Sequence, residues 1–355
     1  MFNERLIPWF GTGTADALFL KKQANVCWAS GFMGKDSCVL MTPDGGFLFT
    51  DPRYTEQAGI EAPDFTLVNW RAVGGSMMKA LAHVIKEQKI GSVGFEADTL
   101  SFGEYSELQG QTDARLVPTE NVVEELRSIK APEEIGYLRA SCEIACRAFD
   151  RILGDIRVGV TEKELAARLS SYMVFEGADT KPYGNILISG PNTSLLHGIP
   201  SDRAVQYGDF VLMDFGCQFH GYMSDMTRTV IVGKPDEKQR EVYDLTRQMI
   251  EDSLAVMKEG ARCADVYEAS TKAIRDTPYY QYHYNGIGHG IGLFVHEVPF
   301  IRPGAEAIYE KNVVTTIEPG LYIPGWGGVR IEDQVIIGEN GYENLVRTTH
   351  DLIVL

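Results

Sequence analysis

The chain has 355 residues, 44% hydrophobic and 23% charged, enough apolar sequence for two independently folding domains and no compositional sign of disorder. Its 49 acidic against 33 basic side chains give a formal net charge of −16, which argues against a phosphate-binding face and so against nucleic acid as a partner. No run of about 18 uninterrupted apolar residues occurs, and MFNERLIPWF lacks a basic segment followed by a long apolar core, so neither membrane insertion nor secretion is expected.

In the first third, residues 15–20 and 37–41 read as strands, Pro43-Asp44-Gly45-Gly46 as a turn, and residues 47–50 as the returning strand. A helix is expected over 77–87 and a strand at 93–95, which makes an α/β domain with a modest sheet, closed by Leu116-Val117-Pro118. Helical character follows over 121–130. Ala131-Pro132-Glu133-Glu134 then has the form of a helix start, with proline early and acids in the first turn, and this helix should run to about Ile152. Thr161-Glu162-Lys163-Glu164 is a capping-box pattern opening a second helix. The boundary belongs between 120 and 132, and the division taken is 1–126 and 127–355. Cys27, Cys38, Cys142, Cys146, Cys217 and Cys263 lack zinc-knuckle spacing and read as reduced thiols of a cytoplasmic protein; Cys142 and Cys146 share one helix face, where packing explains them.

The second domain contains an internal echo. Val211-Leu212-Met213-Asp214-Phe215-Gly216 is like Val314-Thr315-Thr316-Ile317-Glu318-Pro319-Gly320, each an apolar strand ending in acid, any residue, glycine. Each is answered by a second acid opening a β-branched strand, Asp225 after 11 residues (225 − 214) and Glu332 after 14 (332 − 318). Two hairpins, each offering one acid per strand, would face each other across a pseudo-twofold axis.

Asp214, Asp225, His289, Glu318 and Glu332 are the candidate metal ligands. Each stands in an apolar or glycine-punctuated run, where a lone charge is costly. Singly they have structural readings, Asp214 as a turn residue and Glu318 as the cap of a bend; together they are hard to explain as structure. Two divalent ions about 3.5–4 Å apart, bridged by carboxylates, would offset the burial and generate hydroxide at neutral pH. The oxygen-rich set suits Mn, Co, Fe or Zn. Asp214 and Asp225 could clamp one ion, His289 would be the lone nitrogen ligand of the other, and Glu318 and Glu332 would complete both. Five of the seven histidines, His197, His220, His283, His289 and His296, fall between 197 and 296, and His197 and His296 are candidates to shuttle protons or hold a tetrahedral intermediate. The glycines of Gly286-Ile287-Gly288-His289-Gly290-Ile291-Gly292 would let backbone approach an ion or substrate. This run is not a dinucleotide fingerprint, His296-Glu297 is not a zincin signature, and no Gly-x-Ser-x-Gly elbow occurs. Arg330 is placed to orient a ligating carboxylate.

Asp214-Phe215-Gly216, the run Gly221-Tyr222-Met223-Ser224-Asp225-Met226-Thr227-Arg228-Thr229, Gly288-His289-Gly290-Ile291-Gly292, Val295-His296-Glu297-Val298-Pro299, Thr316-Ile317-Glu318-Pro319-Gly320 and Gly328-Val329-Arg330-Ile331-Glu332-Asp333 closely resemble the signatures of the pita-bread metallopeptidases. The Val-Arg-Ile-Glu-Asp form is similar to aminopeptidase P and prolidase rather than to methionine aminopeptidase, and Thr50-Asp51-Pro52-Arg53-Tyr54-Thr55-Glu56-Gln57-Ala58 looks like the creatinase-type N-terminal domain of that group. The resemblance implies a small N-terminal α/β domain followed by a pita-bread domain of pseudo-symmetric hairpins flanked by helices. It also implies hydrolysis of the bond between an N-terminal residue and proline, with two Mn-like ions on the five ligands. Glu318 would double as the base, His197 and His296 would face the substrate, and the enzyme would be a homodimer. Asn285 departs from the pattern, because many such sequences have histidine four residues before the metal histidine; asparagine donates a hydrogen bond but exchanges no proton near neutral pH. Two rival readings are a metal-free creatinase-like C–N hydrolase and a non-enzymatic binding protein built on the same domain; relatives of either kind need not keep the ligands, and this chain keeps all five.

Overall fold

The computed structural model describes residues 4–179 and 184–355. Contacts divide the chain into one unit ending at Arg127 and another beginning at Ser128. Strands of the first unit are β1 (Ala17–Leu20), β2 (Cys38–Thr42), β3 (Gly45–Thr50), β4 (Thr66–Asn69), β5 (Ser92–Glu96) and β6 (Arg115–Thr119), in the order β4-β3-β2-β1-β5-β6. The pairs β1/β2 and β2/β3 are antiparallel and the others parallel. Every residue of β1 and β5 is buried, as expected for strands covered on both faces. The helices are α1 (Ile7–Phe10), α2 (Gln23–Ser30), α3 (Thr55–Glu61), α4 (Trp70–Val73), α5 (Met77–Glu87), α6 (Phe102–Gln109) and α7 (Val122–Ser128). Pro118 is tolerated because β6 is an edge strand. The expected four-residue turn is shorter: Gly45 and Gly46 already pair with Thr42 and Met41, so Pro43-Asp44 alone reverses the chain. The Thr50-Asp51-Pro52-Arg53 motif is a structural bracket. Buried Asp51 accepts from Arg53 N at 2.9 Å and its carboxylate also meets the Arg71 guanidinium at 3.4 Å, tying the end of β3 to that of β4.

The second unit opens with α8 (Pro132–Ile152), whose buried Ile135, Leu138, Cys142, Ala145, Phe149 and Ile152 recur at alternating spacings of three and four, one face of an α-helix. α9 (Glu162–Phe175) has the capping box read from Thr161 and Glu164, and buries Leu165, Leu169 and Met173. Next come β7 (Ile186–Ser189), β8 (Phe210–Phe215), the two-residue strands β9 (Gln218–Phe219) and β10 (Tyr222–Met223), and β11 (Met226–Ile231). β8 pairs antiparallel with both β7 and β11. Then the plan repeats. Helices α10 (Glu237–Val256) and α11 (Cys263–Thr271) precede β12 (His289–Gly290), β13 (Glu297–Phe300), β14 (Val314–Ile317), the hairpin β15 (Gly320–Ile323) and β16 (Gly327–Arg330), then β17 (Asp333–Ile337) and β18 (Tyr342–Asn344). Each half is two helices packed on a sheet whose central hairpin, β8/β11 or β14/β17, has a smaller hairpin nested in its loop. This is the pseudo-symmetric pair of hairpins expected from the echo.

Strand alternation decides which residues the helices cover. Val211, Met213, Phe215, Met226 and Val230 share a core with Phe149, Leu165 and Leu169, whereas Val313, Ile317, Val335 and Ile337 share one with Met249, Ile250 and Leu254. Each such side chain contributes about 1.5–3 kcal/mol by leaving water. The intervening positions, Asp214, Thr227 and Thr229 in one half and Thr316 and Gln334 in the other, therefore face away from the helices. The two sheets meet there: Glu332 N donates to Thr227 O at 3.0 Å and Thr229 Oγ1 donates to Arg330 O at 3.0 Å.

Candidate metal centre

All four carboxylates read from the echo belong to the uncovered faces. Asp214 is in β8 opposite Thr227, Asp225 stands one residue before β11, Glu318 follows β14 and Glu332 precedes β17. Because the sheets are joined at Thr227 and Glu332, the acids of the two halves converge. Asp225 N donates to Gln334 Oε1 at 3.0 Å, a second tie between the halves.

Among the described residues, Asp225, His289 and Glu332 form a group whose ligand atoms lie within 4.8 Å of one another, all three buried. His289 Nε2 is 3.8 Å from Asp225 Oδ2 and 3.6 Å from Glu318 Oε1. His289 Nδ1 is 3.0 Å from Gly290 O. A carbonyl only accepts, so Nδ1 carries the proton and the lone pair of neutral Nε2 faces the carboxylates, the tautomer a metal ligand needs. Burial lowers the His289 pKa to about 4, which keeps the ring neutral. Asp214 lines the same cleft, and its Oδ2 accepts from Arg330.

The donor set fits cations. Burial raises the pKa of Glu332 well above the ordinary carboxylate value, with Asp225, Glu318 and Asp214 adding to the shift. Glu318 rises to about 7, again chiefly by burial, with Arg330 opposing and Asp214 adding. Glu332 Oε2 accepts from Thr227 Oγ1 at 2.7 Å, yet its buried Oε1 has no hydrogen-bond partner among the described residues. A buried acceptor without a donor, among crowded acids and beside an imidazole lone pair, is what divalent cations would satisfy.

Arg330, buried, links the parts. Besides Asp214 it donates from Nη1 to Tyr322 Oη at 2.9 Å, from Nε to Thr227 Oγ1 at 3.2 Å and from Nη1 to Leu196 O at 3.4 Å. Sequence reasoning gave roles to neither Thr227 nor Tyr322; a threonine two residues after Asp225 in a strand shares its face, and that was the available signal.

Above this lies a cleft of about 630 Å³, with His197, Asp214, His289, His296, Glu318 and Arg330 in its walls and Leu196, Tyr284 and Phe300 as apolar surface. His296 packs edge-on against His289 with ring centroids 4.6 Å apart, and its pKa is lowered by burial and then by His197. The histidine cluster of the sequence is thus split: His220 stacks on Tyr137 at the tip of the β9/β10 hairpin, and His283 contacts Tyr267 Oη at 2.9 Å. Asn285 is exposed, its Oδ1 accepting from Tyr267 Oη at 2.9 Å. Gly286 and Gly288 line the cleft, and the glycines beside His289 also serve chain packing. A Cβ on Gly288 would collide with Thr316 O and one on Gly290 with Val298 O, so β12 can lie between β13 and β14 only without side chains there. Buried Lys130 reaches Glu297 Oε2 at 3.2 Å while Phe294 N donates to Glu297 Oε1 at 3.0 Å, which braces the segment carrying His296.

Residues 136–339 match the model of metallopeptidase family M24, and residues 4–129 match that of the creatinase/prolidase N-terminal domain. An Xaa-Pro dipeptidase of Pyrococcus furiosus is 31% identical over 352 residues, 99% of each chain. The solved structure of an Xaa-Pro dipeptidase from Bacillus anthracis, 35% identical, superposes with a TM-score of 0.94 over 99% of this chain and 98% of that one. That of an X-Pro aminopeptidase from Thermotoga maritima, 32% identical, gives 0.89 over 96% and 98%.

Proposed function

The chain belongs to metallopeptidase family M24, with a creatinase/prolidase N-terminal domain ahead of a pita-bread catalytic domain, and we propose that it hydrolyses the bond between an N-terminal residue and a following proline. The observation that carries this reading is the convergence of Asp225, His289 and Glu332 within 4.8 Å, with Glu318 beside them, where His289 and Glu318 line an open cleft. Asp214, Asp225, His289, Glu318 and Glu332 would hold two divalent cations, most simply Mn, with Co, Zn or Fe suiting the same donors. Bound there, the cations supply Lewis acidity and lower the pKa of water towards neutrality. Glu318 would then take and return the proton, since it lines the cleft and, unlike Asp214, does not accept a hydrogen bond from Arg330. His197 and His296, on the walls, donate to the peptide carbonyl as charge develops on its oxygen. Arg330 holds Asp214 in place.

The alternative of a metal-free hydrolase would leave Glu332 Oε1 buried without a partner, which the dinuclear reading avoids. The same reading takes residues 127–355 as the catalytic domain and the protein as a cytoplasmic homodimer, in keeping with six scattered cysteines that read as reduced thiols. The test assays an Xaa-Pro dipeptide and a longer Xaa-Pro peptide with Mn, Co and Zn in turn. Cleavage before proline that chelation abolishes and metal restores is expected. Purified protein that holds no ion and responds to none would defeat the reading, and light scattering decides the dimer.

A further inference from the structure

The loop carrying His197 runs from Ser189, the last residue of β7, to Ser201. Its first half is a 3₁₀ turn, Gly190–Ser194, docked on β16 by Gly328 N donating to Thr193 Oγ1 at 2.7 Å. Its second half presents Leu195, His197 and Ile199 to solvent at the rim of the cleft.

One carboxylate holds both ends. Glu162, the first residue of α9, is fully buried. Its Oε1 accepts from Ser189 N at 2.7 Å, Ser189 Oγ at 2.8 Å and Asn192 Nδ2 at 3.0 Å, all at the start of the loop. Its Oε2 accepts from Ser201 N at 2.9 Å and Ser201 Oγ at 2.6 Å, at the far end. An ionised carboxylate is acceptor-only and can serve this many donors; no neutral side chain of that shape can.

We propose that Glu162 is a positioning residue for peptide hydrolysis: it fixes the span from Ser189 to Ser201 and so sets where His197 stands over the cleft. The inference rests on the reading that His197 meets the substrate. Glutamine at position 162 keeps the size but turns an amide NH₂ towards donors, so one end of the loop must let go.

The experiment compares the full chain with Glu162→Gln, His197→Ala and the double variant, with and without Mn²⁺. In Glu162→Gln, amide exchange should quicken in the loop, chiefly at 195–201, with metal present or chelated. Mn²⁺ affinity should stay unchanged, and kcat/KM on an Xaa-Pro peptide should fall roughly 10- to 100-fold, as for an active-site group displaced by about 1 Å. In the His197→Ala background the same substitution should cost nothing further, since two changes that act through one group are not additive. Additive losses, unaltered kcat/KM in Glu162→Gln, or exchange unchanged in the loop would each overturn the proposal. Should Glu162→Gln fail to fold, Ser201→Ala, which removes one of the five donors, carries the test with the same direction and a smaller size. A wild-type protein that cleaves no Xaa-Pro peptide would sink the functional reading, and this proposal with it, even where the exchange result shows the loop held by Glu162.

Discussion

At the scale of single residues, the acids of the centre are held in place against their own electrostatic interest. Glu332 is driven towards the protonated form by burial and its neighbours, so its ionised charge does not stabilise the fold of the chain alone. Hence Asp225→Asn and Glu332→Gln should leave the thermal transition near wild type while abolishing turnover and weakening Mn²⁺ binding by calorimetric titration. Turnover at the wild-type rate in either variant would show that the ligands are wrongly assigned. Arg330 behaves differently, because its guanidinium meets Asp214, Tyr322 and Thr227 at once. A lysine keeps the charge but not the fork. Arg330→Lys should therefore fold and lose activity, whereas Arg330→Met, which leaves the half-buried Asp214 carboxylate without its charged partner, should lose roughly 1–3 kcal/mol in urea unfolding. Glu162 supplies the pH dependence. Burial opposes its ionisation, but the bonds from Ser201, Ser189 and Asn192 outweigh this and set its pKa below the ordinary 4.5. A depressed folded value contributes stability that is present above the unfolded pKa and lost as pH falls through the folded one. The stability difference between wild type and Glu162→Gln should be constant from neutrality down to about pH 5 and shrink below it; a difference that grows on acidification would contradict this sign.

At the scale of elements, legibility followed how local the signal was. The helix Pro132–Ile152 and the start at Thr161 were readable because proline, first-turn acids and a capping box act within a few residues. The equivalent signal at Asp236 and Gln239, which opens α10, is equally local and was passed over. The nested hairpins β9/β10 and β15/β16 were not foreseen: strands of two to four residues have too little alternation to separate from turns. Nor could the bonds of Thr227 or the escape of His220 from the cleft be read, since these depend on register and on how two sheets meet. The glycines of the His289 run show the same limit. Their composition suggested an approach to ligand, and Gly286 and Gly288 line the cleft, but that a Cβ at Gly288 or Gly290 would strike a neighbouring strand depends on register. Gly290→Ala should thus push β12 off Val298 and shift His289, at a cost of roughly 1–3 kcal/mol by overpacking, together with weaker Mn²⁺ binding. A substitution that lowers stability but leaves metal affinity intact would separate the glycine from the site.

At the scale of the whole molecule, part of the chain's excess of acid over base is buried rather than solvated. Asp225, Glu332 and Asp333 are buried where the halves of the second unit meet, but Asp333 is balanced by Arg228 at 2.7 Å and by His350 at 2.7 Å, a pairing that holds its pKa below the ordinary value although burial opposes it. Asp225 and Glu332 share their site with His289, and a bound cation would add positive charge among them. The pseudo-symmetric fold brings two helix-backed halves together at this acidic seam. A ligand that binds only the folded form stabilises it by RT ln(1 + [L]/Kd), about 2.7 kcal/mol at a hundredfold excess over Kd. Mn²⁺ should accordingly raise the melting transition and chelation lower it, and the added amide protection should concentrate in β8, β11, β12, β14 and β17 rather than in the sheet of residues 4–127. Protection spread evenly over both units, or a transition indifferent to Mn²⁺, would mean that the acids are accommodated without cations and that the halves are held by packing alone.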